Sequence, residues 1–295
     1  MIPLVYHPAY DLNLGAHVFP AQKYRLIRER LADSPVHTPE PATDAQVQLV
    51  HTAAWITALR DGTLTPRQLQ TLEIPWSPAM AHGFRLAAGG TLLAARLALT
   101  HDAAYNIGGG FHHAFPNHGE GFCALHDVAI AIRTLQAEGL IPRAMVIDTD
   151  VHHGNGTAAI FHGEESVYTL SIHQYNNYPA IKPPSDCDIH LEDGVEDDEY
   201  LEALAPKLHH ALDTHKPEIL YYVAGADPYR HDQLGGLKLS IDGLKRRDEL
   251  VLGEAVKRGI PFVVTLAGGY AIDVDDTVTI HANTARVAAK LLEKR

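Results

Sequence analysis

The chain of 295 residues is poor in cysteine, with only Cys123 and Cys187. Two thiols form one bridge at most and no disulfide framework, so reduced cysteines in a cytoplasmic protein are expected. Basic runs are also missing. The densest stretch, LKRRDE at Leu244–Glu249, has acids beside it; Lys plus Arg total 24 against 36 Asp plus Glu, for a formal charge of −12. This balance argues against nucleic acid as a partner and against anionic membrane surfaces. No apolar run approaches the ~20 residues of a membrane span. The N-terminal MIPLVYHPAYDLNLGAH has neither the basic nor the long apolar stretch of a signal peptide. Repeats, low-complexity tracts and linkers are absent too, so a single domain over 1–295 is expected.

Hydrophobic residues make up 46% of the chain, enough for a sizeable core. Short apolar strands alternate with amphipathic helices. Strands are predicted at Pro3–His7, Ala144–Thr149, Ser166–Ile172, Ile219–Ala224 and Phe262–Leu266. Helices are predicted at Ala21–Leu31, around Asp44–Leu59, and at Pro78–Thr100, Cys123–Glu138, Gly156–His162, Asp197–Leu212, Ile241–Arg258 and Thr277–Glu293. Tyr175–Asp188, rich in Pro and Asn, reads as a loop. The alternation implies an α/β fold, a mostly parallel sheet with helices on both faces. Four strands run out into polar residues, in VIDTDVHH, TLSIHQ, LYYVAGAD and VVTLAGGY. In a parallel sheet these ends share one rim, where ligands bind.

Twenty histidines are unusual, and they double up at His112–His113 and His152–His153. The stretch DTDVHHGNG, Asp148–Gly156, follows an apolar strand, where charge is costly unless it is needed. In an extended chain Asp148, Asp150 and His152 share a face. One aspartate there is better explained as a helix cap; the whole cluster is not. Asp150 and His152, joined by Asp227, would hold a divalent metal and leave a position open for water, as catalytic zinc sites do. Fe(II) suits the same ligands.

GGGFHHAFPNHGEGF, Gly108–Phe122, sets two histidines in a glycine-rich loop. A histidine acting as a base needs an orienting partner on its other nitrogen. Asp148 and Asn155 flank the metal ligands and could each orient one. AGGY, Ala267–Tyr270, lets a phenol approach a bound carbonyl opposite the metal. Gly-Gly-Tyr alone is more often only a turn.

Together these residues resemble the histone deacetylase superfamily, the arginase/deacetylase fold. The motifs GGGFHHA, GEGFC, DTDVHHGNGT, GADPYRHDQLGG and LAGGY occur in the family's order, with strong resemblance from about Pro75 to Tyr270 and weaker resemblance from Pro3 to Leu31. VYHPAYDLNLGAHVFP and IPWSP look more like the class IV branch and its bacterial relatives. The resemblance implies one Zn²⁺ on Asp150, His152 and Asp227. It implies His113 as general base and acid, His112 paired with Asp148 as electrostatic partner, and Tyr270 polarising the acyl carbonyl. Asn155 faces His113 where some branches have Asp, which would raise the pKa of His113 less. Gly121, Phe122 and Tyr178 would wall a channel for a lysine-like chain. Asp148 and Ser171 match a monovalent-cation site, for K⁺. Glu73 lies near the place of a substrate-gripping rim aspartate, although the surrounding sequence differs.

The reaction implied is hydrolysis of an acyl-lysine in a protein or peptide, with acetyl or longer acyl groups. A binuclear manganese site of the arginase kind is disfavoured. Gly154, four residues beyond Asp150, and Tyr229, two beyond Asp227, supply no bridging carboxylate. Deacetylation of polyamines or other small amines uses the same residues, and the absence of an obvious loop insertion favours peptide-sized substrates over it. A non-catalytic binding module with a relic metal site is the reading of another class. It sits poorly with a complete set of catalytic residues.

Overall fold

The computed structural model describes residues 2–12, 14–15 and 17–293. Asn13 and Ala16 of the N-terminal motif lie outside the described residues, as do Met1, Lys294 and Arg295. The strands are β1 Leu4–Val5, β2 Val36–His37, β3 Ala103–Asn106, β4 Ala144–Asp148, β5 Val167–Gln174, β6 Cys187–Leu191, β7 Ile219–Val223 and β8 Phe262–Thr265. The helices are α1 Lys23–Arg30, α2 Asp44–Val47, α3 Ala53–Asp61, α4 Pro66–Leu72, α5 Pro78–His101, α6 Asp127–Ala137, α7 Asn155–Phe161, α8 Asp197–His215, α9 Ile241–Arg258 and α10 Val274–Leu292. The eight strands form one all-parallel sheet in the order β2-β1-β3-β8-β7-β4-β5-β6.

Side chains alternate across the central strands, as the pleat requires. Tyr105, Met145, Ile147, Leu220, Tyr222, Phe262 and Val264 enter one core, with residues of α1, α8, α9 and α10. Ala104, Val146, Tyr221, Val223 and Val263 enter the other, with residues of α5 and α6. Both faces are therefore covered, and every carboxyl end points to the same rim. The two cysteines are free. Among the described residues no helix is long and apolar enough to cross a membrane.

Departures from the sequence expectation have local causes. The helix expected around Asp44–Leu59 is two, because Thr43 and Thr52 each cap a helix start. His51 sits at the break and turns inward to accept from His126 N–H at 3.0 Å. The helix expected from Cys123 begins at Asp127. A tight turn occupies Glu120–Cys123, with Gly121 and Phe122 both at positive φ. The loop expected to run to Asp188 ends earlier, and Cys187 and Asp188 open the edge strand β6. The apolar pattern does not mark β2, β3 or α4. β2 and β3 are short, but the Thr65/Gln68 capping box of α4 is legible in TPRQ.

Candidate metal centre and cavity

Adjacent strands β3, β8, β7 and β4 deliver the site from their carboxyl ends. β4 ends at Asp148, so the extended alternation expected for Asp148, Asp150 and His152 stops there. The chain turns instead: Asp150 N–H donates to Asp148 Oδ1 at 3.1 Å, and His152 N–H to Asp150 Oδ1 at 3.0 Å. The turn still brings Asp150 and His152 together with Asp227, which follows β7. One atom of each lies within 4.8 Å of the others, all buried.

Each carboxylate is anchored to backbone and turns one oxygen to the centre; in Asp150 the inward Oδ1 also accepts from His152 N–H, whereas in Asp227 the two duties are separate. Gly268 N–H donates to Asp150 Oδ2 at 2.7 Å, and Val151 N–H to Asp227 Oδ1 at 2.9 Å. Asp150 Oδ1 and Asp227 Oδ2 face His152 Nδ1 at 2.9 and 3.3 Å. Asp227 Oδ2 is buried and accepts no hydrogen bond. A bare buried carboxylate oxygen is costly unless a cation completes it. Without a metal, that cation is a proton: burial opposes it, but the two aspartates push His152 up to about 10. Burial and Asp150 raise Asp227 to about 7. Metal ligation requires an unprotonated nitrogen, so metal and proton compete for His152. Two carboxylates and one imidazole suit Zn²⁺ or Fe²⁺, so the residues fit the ion. Gly268 allows the close approach, since a Cβ there would collide with Asp227 Oδ2.

The paired histidines follow β3. His112 Nδ1 lies 2.6 Å from Asp148 Oδ2, and His113 Nδ1 lies 2.7 Å from Asn155 Oδ1. Burial would lower His112, but Asp148 and Asp150 outweigh it and raise it to about 9. His113 goes the other way: burial, then the neighbouring His112 and His152, push it well below the usual histidine range. In the metal-free protein one ring is thus held as a cation and the other as a neutral base. Asp148 and Ser171 are register partners on β4 and β5, and Ser171 Oγ lies 2.9 Å from His173 Nδ1.

A cavity of about 390 Å³ leads to this floor, lined by His113, Gly121, Phe122, His152, Tyr178 and Tyr270, with Glu73 among its walls. Burial, then Asp150 and Asp227, raise Tyr270 well above the usual phenol range, so it remains a donor. Its backbone N–H is anchored on Asp232 Oδ2 at 2.6 Å.

Four supporting residues have roles that the sequence does not display. Asp127 accepts from the N–H groups of Gly110 and Phe111 at 3.0 and 2.8 Å, fixing the loop before the paired histidines. Lys23 is fully buried and donates to Ala267 O at 2.7 Å, beside Tyr270. Arg247 belongs to the basic stretch LKRRDE, yet it is fully buried with Asp248. It donates to Gly225 O at 2.6 Å and Thr149 O at 3.3 Å, just before two metal-ligand candidates. Glu120 accepts from Asn155 Nδ2 at 2.7 Å. The site groups they hold lie 16 or more positions away in the chain, so no short motif displays the roles.

Similarity to known proteins agrees with this geometry. A histone deacetylase domain model matches residues 17–285. An uncharacterized protein of Picosynechococcus sp. is 42% identical over 293 residues, covering 97% of this chain and 98% of the relative. Histone deacetylase 2 of Arabidopsis thaliana is 31% identical over 288 residues, covering 91% of this chain and 74% of the relative. The crystal structure of the HDA15 HD domain superposes with a TM-score of 0.81 at 24% identity, covering 99% of this chain and 91% of that one, and so supports the fold. The chain belongs to the histone deacetylase domain family.

Proposed function

We propose that this protein is a zinc-dependent amidohydrolase that removes acetyl or longer acyl groups from lysine side chains of proteins or peptides, in the manner of class IV-like bacterial members. The observation that carries the reading is the buried trio Asp150, His152 and Asp227, with its bare inward carboxylate oxygen, at the floor of a cavity about 390 Å³ in volume. Asp150, His152 and Asp227 would hold the ion, Zn²⁺ or alternatively Fe²⁺. When bound it supplies Lewis-acid polarisation and a more acidic water.

The chain's own residues supply the remainder. Gly121, Phe122 and Tyr178 sleeve the alkyl stem of the substrate. Tyr270 donates a hydrogen bond to the acyl oxygen as charge develops there. His113, neutral and buried, takes the proton of the attacking water at its free nitrogen and passes it to the departing amine. His112, held cationic between Asp148 and Asp150, stabilises the negative charge on the floor. Asp148 and Ser171 would hold a structural K⁺ beneath it. Glu73 at the cavity wall suits a cationic or backbone-amide contact.

Turnover of a panel of acyl-lysine peptides and acetylpolyamines by zinc-loaded protein tests the reading, alongside metal analysis of Asp150→Ala and Asp227→Ala. Peptide activity lost with the metal in both variants supports it. Activity on polyamines alone would move the substrate to small cations. Full zinc occupancy in either variant would overturn the ligand assignment. Bound zinc with no turnover across the panel would favour a binding module.

A further inference from the structure

We propose that Glu120 is a positioning residue that sets the tautomer of His113 through the amide of Asn155. The inference rests on the reading above, in which His113 moves the proton. The two paired histidines are oriented differently. His112 faces a carboxylate, Asp148, which can only accept. His113 faces an amide, and an amide has two directions. With Asn155 Oδ1 toward it, His113 Nδ1 must donate, and Nε2 is left bare to take a proton. With Asn155 Nδ2 toward it, Nδ1 must accept, Nε2 carries the hydrogen, and the ring cannot act as a base.

Glu120 favours the first. Its carboxylate accepts only, and Oε1 lies 2.7 Å from Asn155 Nδ2, so the amide nitrogen is committed to that side. Gly156 N–H donates to Asn155 Oδ1 at 3.1 Å and locks the same direction from the backbone. A reversed amide would set donor against donor at Gly156 and oxygen against carboxylate at Glu120. The carboxylate is itself held. Tyr178 hydroxyl donates to Oε1 at 2.9 Å, and His118 Nε2 lies 3.4 Å from Oε2. Burial would raise its pKa, but hydrogen bonds from His118, Tyr178 and Asn155 outweigh it and keep the group below the usual glutamate value. Reciprocal backbone bonds of 3.1 and 2.9 Å between Glu120 and Cys123 fix its place in the chain. Tyr178 also meets the His113 ring edge-on, with centroids 5.0 Å apart. One carboxylate thus anchors both the base's partner and a wall of the channel.

The test compares E120Q, E120A, N155D and the E120Q/N155D double variant with wild type and H113A, all zinc-loaded, on the best acyl-lysine peptide. Glutamine can turn either way, so E120Q should lower kcat roughly 10-fold with KM little changed, and E120A should lower kcat by up to about 100-fold, the range for removing an orienting partner, and raise KM because Tyr178 loses its anchor. N155D alone sets two carboxylates against each other and should lose activity. In the double variant the new glutamine amide can donate to the new aspartate, whose other oxygen still accepts from His113. There kcat should recover to within about 3-fold of wild type, much of the orienting contribution restored. Nitrogen-15 spectra of histidine-labelled protein read the tautomer without turnover. The His113 signal, identified by its loss in H113A, should report Nδ1–H in wild type and a growing Nε2–H fraction in E120Q. Wild-type kcat and an unchanged tautomer in E120Q and E120A, with H113A inactive, would overturn the role of Glu120 alone. An active H113A would instead overturn the role of His113. A double variant no better than N155D would reduce Glu120 to a structural residue.

Discussion

Gly121 is where the smallest side chain has the largest consequence. It sits at φ 51, and a Cβ there would lie 2.7 Å from His113 Cδ2 and 2.9 Å from Tyr178 Cε1. Gly121→Ala must displace the base, the channel wall or the turn. Catalytic efficiency should drop by about 10²-fold or more, as a misplacement of this size implies, with a loss of about 1–2 kcal/mol in stability. Steady-state kinetics and a melt of the same preparation check both. Tyr270→Phe removes one donor without a change of shape, so kcat should fall ~10²–10³-fold with zinc content unchanged. An unaltered kcat would remove Tyr270 from the chemistry. Residues such as these are legible because DTDVHHGNG, GGGFHH and AGGY crowd costly groups into short windows. Glu120 stands in plain view in GEGFC, but its meaning depends on Asn155, 35 positions away. Lys23 gives no signal, since its partner Ala267 is 244 positions distant.

Among the elements, α9 carries a duty that its sequence conceals. Its charged run LKRRDE suggests a solvated face, yet Arg247 and Asp248 are fully buried. Arg247 donates to Asp248 Oδ1 at 2.9 Å, while Tyr222 hydroxyl and Thr284 hydroxyl each donate to Asp248 at 2.6 Å. The same guanidinium holds carbonyls just beyond the ends of β7 and β4, from which Asp227 and Asp150 continue. Arg247→Met should therefore lower unfolding stability by about 3–5 kcal/mol, the cost of leaving a buried charge unpaired. It should weaken zinc retention as well. Urea unfolding with metal analysis reads both, and a loss well short of that range would mean that the pair contributes little. Apolar runs expose five of the eight strands because a buried parallel strand has few other sequences open to it. β3 escapes although it delivers the paired histidines, because AAYN is too short and too plain to mark itself. Edge strand β6 is half hidden in a proline-rich loop.

For the molecule as a whole, the histidines set the response to pH. His51 and His173 are depressed to about 4 and about 3, and His126 and His281 lie well below the usual range, all four through burial first. An unfolded chain takes protons on these rings as the pH falls through about 6.5, whereas the folded one does not. Below that point the unfolded state binds more protons, so stability is lost as the pH falls from about 6.5 toward 4, by ~1.4 kcal/mol per pH unit for each ring within its window. Asp127, Asp227, Asp232 and Glu73, all raised by burial, oppose this trend, but the buried neutral rings, with His113 as a fifth, outnumber them. His112 and His152 have the opposite sign. Raised to about 9 and about 10, they contribute stability that is complete below about pH 6.5 and fades as the pH climbs through those values. Metal-free protein should therefore be most stable near about pH 6.5 and weaken on both sides. Zinc takes the place of the proton on His152 and removes that part of the alkaline loss, so loading should move the maximum to higher pH. Thermal melts from about pH 5 to about pH 9, in chelator and in zinc, decide the matter. A flat profile on the acid side of the histidine range would mean that the buried rings are not held neutral. An optimum that ignores zinc would mean that His152 is not where metal and proton compete.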